Sequence, residues 1–196
     1  KEDFGKTFAG FFSDEPELGN TTGYNFHDML GKEEVKLPWS EELYQLLMEQ
    51  WGDNLGYNLP ALWFNLGEKI ISIRSQYMDA VTKLVHQCFS GQLGKWCQDR
   101  GVEYIGHVIE DDNAHGRLDC STGHYLREQK GQHMSGIDVV HYQIVPGFNN
   151  KIHQWLSWNS DGEFFHYGLG KMGSSAAHID PKKKGRAMCE IFGNYG

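Results

Sequence analysis

Positive charge is scarce in this chain. Lys and Arg number 18 against 26 Asp and Glu, leaving a net charge of −8. A sequence-independent grip on nucleic acid runs on Lys and Arg at phosphates, so no nucleic-acid partner is expected. No apolar run approaches the roughly 18 residues of a membrane span, and no membrane partner is expected either. The first residues, KEDFGKTF, carry no signal-peptide pattern. Cysteine is sparse: Cys88, Cys97, Cys120 and Cys189 include no CxxC pair and no zinc spacing, so buried free thiols are expected. Cys88 and Cys97 fall in one helical pattern, about 13 Å apart along its axis. That exceeds the roughly 7 Å a disulfide allows between Cα atoms. Familiar catalytic signatures are missing as well. No GxGxxG follows a strand-like run, and there is no HExxH and no GxSxG elbow. There is no internal repeat.

What is present is aromatic and acidic. Phe, Tyr and Trp make up 13% of 196 residues, and hydrophobic residues 39%, enough for a globular core. Four apolar runs read as strands: 6–13 (KTFAGFFS), 102–109 (VEYIGHVI), 137–145 (IDVVHYQIV) and 187–192 (AMCEIF). Their apolar character on both faces suggests parallel strands covered on both sides. Helical patterns lie between them. Ser40 is a good N-cap for EELYQLLMEQW, with Glu41 and Glu42 at the positive end of the helix dipole. A longer three-and-four spacing runs from 68 to 100, with a break at Ser90-Gly91, and shorter helices fit 121–130 and 163–178. Strand, helix, strand is the grammar of βαβ units. The expected fold is therefore α/β, with parallel (β/α) units forming part of a TIM-type (β/α)₈ barrel. A large insertion, about 14–67, follows the first strand. A complete barrel needs about 250 residues. Residues 1–196 thus read as one partial barrel domain, and the chain as a piece of a longer polypeptide. The remainder of that polypeptide, or self-association, would cover its apolar edge.

Barrel chemistry sits at the carboxyl ends of the strands. The first run ends in Asp14-Glu15-Pro16-Glu17, and the second in His107 through Glu110, Asp111, Asp112 and Asn113. The third carries Asp138, His141 and Gln143, and the last Glu190 followed by Tyr195. A carboxylate on an apolar strand is costly to bury unless paired. Convergent carboxylates amid aromatic rings suit glycoside hydrolysis, in which one carboxyl protonates the leaving oxygen and the other acts as nucleophile or base. Glu15, Glu110 and Glu190 are the catalytic candidates. Asp14, Glu17, Asp111 and Asp112 read more simply as solvated loop acids. Candidate sugar contacts are Glu17, His107, Asn113, His141, Gln143, Trp155, Trp158 and Tyr195, with Trp155 and Trp158 placed on a strand-exit loop. Trp39 and Trp63 are further aromatic candidates.

Asp14-Glu15-Pro16 after an apolar strand resembles the Asn-Glu-Pro that carries the acid/base in the large clan of (β/α)₈ glycosidases. Cys189-Glu190-Ile191-Phe192-Gly193 resembles that clan's Glu-bearing seventh strand. GHVIEDDNAHG, the GxDVVxxQIxPG pattern at 136–147, GKMGSSAAHID and CEIFGNYG look like the core of large bacterial α-L-rhamnosidase-like glycosidases. The resemblance implies a carbohydrate substrate, a periplasmic or extracellular setting, no obligatory cofactor, and calcium in some relatives. Asp14 departs from it where the clan has Asn.

Two other readings stand beside this one. His107, Glu110 and His141 could form a His/His/carboxylate centre of a metal-dependent hydrolase. No HxH lies on the first strand to support it, and no transition metal is expected. The aromatic surfaces alone would suit a non-catalytic carbohydrate-binding domain.

Overall fold

The computed structural model describes residues 2–16, 18, 37–108, 122–140, 143–155 and 158–191, with backbone only for 152–155 and 158–160. The first strand, β1 (Gly10–Ser13), is followed by a helical block: α1 (Glu41–Trp51), α2 (Leu55–Asn58), α3 (Ile70–Val85) and α4 (Gly91–Gln98). Next come β2 (Glu103–Gly106), α5 (Tyr125–Gln129), β3 (Ser135–Val139), β4 (Ile152–Trp155), β5 (Trp158–Asp161), α6 (Leu169–Ile179) and β6 (Ala187–Ile191).

The helices begin and end where their chemistry dictates. The Ser40 hydroxyl accepts the Leu43 N–H at 3.1 Å, and Gly52 closes α1 with φ of 54°. Leu43, Leu47 and Trp51 recur at four-residue steps. They bury one face of α1 against Tyr77, Met78 and Val81 of α3. The expected break at Ser90-Gly91 is a π-turn over His86–Ser90, which shifts the helical register between α3 and α4. Cys97 is buried, whereas Cys88 and Cys189 are exposed, against the expectation of buried thiols.

The strands pair in twos. β1 lies parallel to β2, Gly10 opposite Glu103 and Ser13 opposite Gly106. β3 lies parallel to β6, with Asp138 opposite Glu190. β4 and β5 form an antiparallel hairpin with Trp155 opposite Trp158. These three two-stranded sheets overturn the TIM-type barrel expectation: the described residues form no continuous closing sheet. β3 is buried along its whole length, but β1 and β6 are not covered on both faces. Phe11 and Phe12 of β1 and Ile191 of β6 are exposed by more than 40%. Apolar runs locate strands but do not name their lateral neighbours, and the barrel inference went beyond what such runs carry. Trp155 and Trp158, expected on an exit loop, are strand residues.

The two parallel pairs nevertheless touch. A Cβ built on Gly136 of β3 would stand 1.6 Å from the Gly106 carbonyl oxygen of β2, and one on Gly106 would stand 2.2 Å from the Ser13 carbonyl oxygen. Only glycine permits this contact. The pairs are also tied by the Tyr104 N–H, which donates to His133 Nδ1 at 3.0 Å. Arg186 bonds both Glu103 carboxylate oxygens from the segment before β6. Buried Lys183 donates to the carbonyls of Gln129 and Gln132 at the end of α5.

Two stability predictions follow from this packing. Gly136→Ala should cost at least about 3 kcal/mol, because a rigid backbone oxygen cannot step aside. Gly170→Ala in α6, where nothing lies within 4 Å, should instead stabilise by about 1 kcal/mol. Urea unfolding of both variants checks the pair. The second prediction concerns Glu128, which is 2% exposed and pushed up to about 7 by burial, with Oε1 unpartnered among the described residues. Its folded state holds a proton that the unfolded chain releases near the ordinary pKa of about 4.3. This group's contribution to stability therefore falls as pH rises from about 4.5 to 7 and is flat above. Relative to wild type, Glu128→Gln should gain up to about 3 kcal/mol across that window. Parallel melting curves from pH 4 to 8 measure the difference.

Candidate functional site

The carboxyl ends of four strands meet at one histidine. His107 follows the last residue of β2 and has no exposed surface. Its Nε2 lies 3.2 Å from Glu190 Oε2 on β6, 3.3 Å from Asp14 Oδ1 just past β1, and 3.6 Å from Asp138 Oδ2 on β3. Phe12 packs edge-on against the imidazole at 5.5 Å between centroids. The tautomer with hydrogen on Nε2 suits this ring of carboxylate oxygens, because a bare nitrogen lone pair facing them would be repelled. Glu15 joins the cluster as well: a carboxylate oxygen, a His107 nitrogen and an Asp138 oxygen all lie within 4.8 Å of one another. Asp14, His107 and Glu190 form a second trio within the same limit.

The carboxylates differ in access. Asp138 is buried, whereas the side chains of Asp14 and Glu190 are 74% and 49% exposed. The exposed ones can meet a solute, while Asp138 and His107 form the floor. Glu15 is held at φ of 36°, a left-handed backbone that non-glycine residues rarely adopt. Such strain persists where the surroundings over-determine it. In this conformation the Glu15 carboxylate lies near His107.

Of the expected catalytic residues, Glu15 and Glu190 are thus brought to one cluster, and Glu110 lies outside the described residues. Among the expected substrate contacts, His107 forms the centre of the cluster. Gln143 is buried, with its Oε1 accepting the Val140 N–H at 3.0 Å. Trp155 and Trp158 occupy the β4–β5 hairpin. Glu17, Asn113, His141 and Tyr195 lie outside the described residues, as do Asp111 and Asp112. The reading of Asp14 as a solvated loop acid missed its contact with His107. Asp138 was noted on its strand without a role. Its burial on an apolar run was the signal, since such a carboxylate needs a partner.

Four acidic side chains and an imidazole within these distances can share protons, or can hold a cation through Asp14, His107 and Glu190. The comparisons add no direction: no family model, curated protein or solved structure matches the chain.

The backbone at Glu15 gives a direct test of strain. Glu15→Gly should leave stability unchanged or raise it by about 1 kcal/mol, because glycine takes positive φ without penalty. Thermal unfolding beside Glu15→Ala, which keeps the strain, separates backbone relief from loss of the carboxylate.

Proposed function

We propose that the chain carries the acid/base machinery of a glycoside hydrolase. The observation behind this reading is the convergence of Glu15 and Glu190 on His107 from the ends of separate strands. Glu15 donates a proton to the glycosidic oxygen as the bond to the anomeric carbon breaks. Glu190 faces the positive charge that develops on the sugar, as nucleophile or as base toward the attacking water. Water supplies the hydroxyl of the released sugar, and the alcohol leaves with the donated proton. His107 is a positioning residue: its Nε2 lies 3.2 Å from the Glu190 carboxylate, and buried Asp138 faces the same nitrogen at 3.6 Å.

Leaving-group dependence tests the role of Glu15. In Glu15→Gln, turnover of alkyl glycosides should fall by about 10³-fold. Glycosides of acidic phenols, whose departure needs little protonation, should fall far less. Equal losses on both would remove Glu15 from the acid role.

The second reading is a metal-dependent hydrolase, favoured by the Asp14, His107 and Glu190 trio alone. A carboxylate-rich, proton-sharing site needs no transition metal, so elemental analysis of purified protein should find none in stoichiometric amount. One zinc, manganese or iron per chain, lost in His107→Ala, would replace the glycosidase reading with this one.

A further inference from the structure

A cavity of about 680 Å³ opens beside the cluster, and Asp14 belongs to both. Its wall is the apolar side of the helical block: Leu43 from α1, Val81, Leu84 and Val85 from α3, and Phe89 from the π-turn. Trp39 stands at its rim, 53% exposed, with its ring tilted 58° against Tyr44. Polar groups are few, and two are engaged. The Ser40 hydroxyl caps α1, and Glu42 is held below the usual carboxylate range by hydrogen bonds at the same helix start. A sugar ring brings several hydroxyls, and each one buried without a partner costs about 1–3 kcal/mol. Leu43, Val81, Leu84, Val85 and Phe89 offer no side-chain partner for them, and the polar residues Asp14, Ser40, Glu42 and Thr122 are a minority of the lining. It matches a ligand that is itself apolar, and the volume lies in the range of about 300–1,000 Å³ common for small-molecule pockets.

We infer that this cavity is the leaving-group subsite, and that the substrate is a glycoside of a bulky apolar alcohol of two or three fused rings. The sugar then lies over Glu15 and Glu190, and the ring system lies against α3 with Trp39 covering it. The inference rests on the glycosidase reading for the bond that is cleaved. The pocket and its apolar ligand can be tested without that reading.

Cys88 makes the test direct, because its exposed thiol lines this cavity while the exposed thiol of Cys189 does not. The probe is 2-(2-naphthyl)ethanol, with alkylation by N-ethylmaleimide followed on each cysteine by peptide mass spectrometry. The probe should slow alkylation of Cys88 at least fivefold and leave Cys189 unchanged. No protection of Cys88, or equal protection of both thiols, overturns the inference whatever the enzyme cleaves. Kinetics supply the second arm, comparing 2-(2-naphthyl)ethyl with methyl glycosides across common sugars. Both leaving groups are aliphatic alcohols, so chemical reactivity is closely matched. The naphthylethyl compound should be favoured about a hundredfold in kcat/KM, the return on burying roughly 110 Å² of apolar surface. Cleavage without that preference overturns the subsite and leaves the glycosidase reading standing. Protection of Cys88 with no cleavage of any glycoside upholds the apolar pocket and overturns the glycosidase reading alone.

Discussion

The backbone contact between β2 and β3 is the constraint on which the site depends. Gly106, at the carboxyl end of β2, and Gly136, near the start of β3, meet with no side chain between them, which draws the two short parallel pairs together. A methyl group on Gly136 would push the pairs apart, and one on Gly106 would push β2 from its own partner β1. His107 is the residue immediately after Gly106, and Asp138 lies two residues after Gly136. Separation there would pull the imidazole away from the carboxylates that surround it. Close approach of chain to chain is thereby converted into close approach of charge to charge.

That arrangement carries an electrostatic cost, because like charges within a few ångströms repel strongly where water is excluded. The imidazole offsets part of it by turning its Nε2–H toward three acidic groups. Solvent offsets more at Asp14 and Glu190, which remain open. The packing is plain elsewhere. Leu43, Leu47, Tyr77 and Val81 build an apolar block, and a hollow lined by Leu43 and Val81 lies beside Asp14.

Local signals in the sequence were easy to read, and lateral ones were not. Ser40, the three-and-four spacing of α3 and the glycine at its break announce the helices, because caps and periodicity act within a few residues. Strand positions near 10–13, 103–106, 135–139 and 187–191 follow from short apolar runs for the same reason. Which strand lies beside which depends on contacts such as Gly106 with Gly136, thirty positions apart, and no local pattern encodes them. The barrel expectation failed there. The β4–β5 hairpin escaped notice because IHQW and WNSD mix polar and apolar residues. Within the site, Glu15, His107 and Glu190 stood out as charged groups at strand ends. Asp14 resembled any loop acid until its distance from His107 was known.

The pairing of β1 with β2 has a further consequence, for the order of folding. Ser13 and Tyr104 share a hydrogen bond across 91 positions of sequence, and closing so large a loop costs about 4 kcal/mol in chain entropy. Four residue pairs of β-ladder return little against that, whereas α1, α3 and α4 gain their contacts over short separations. Local helices of this kind form before distant strands meet. The helical block therefore serves as a spacer that shortens the search, and Asp14 and Glu15 reach His107 only in the last stage of chain organisation. The chemistry of the cluster is a property of the completed fold and of no earlier species.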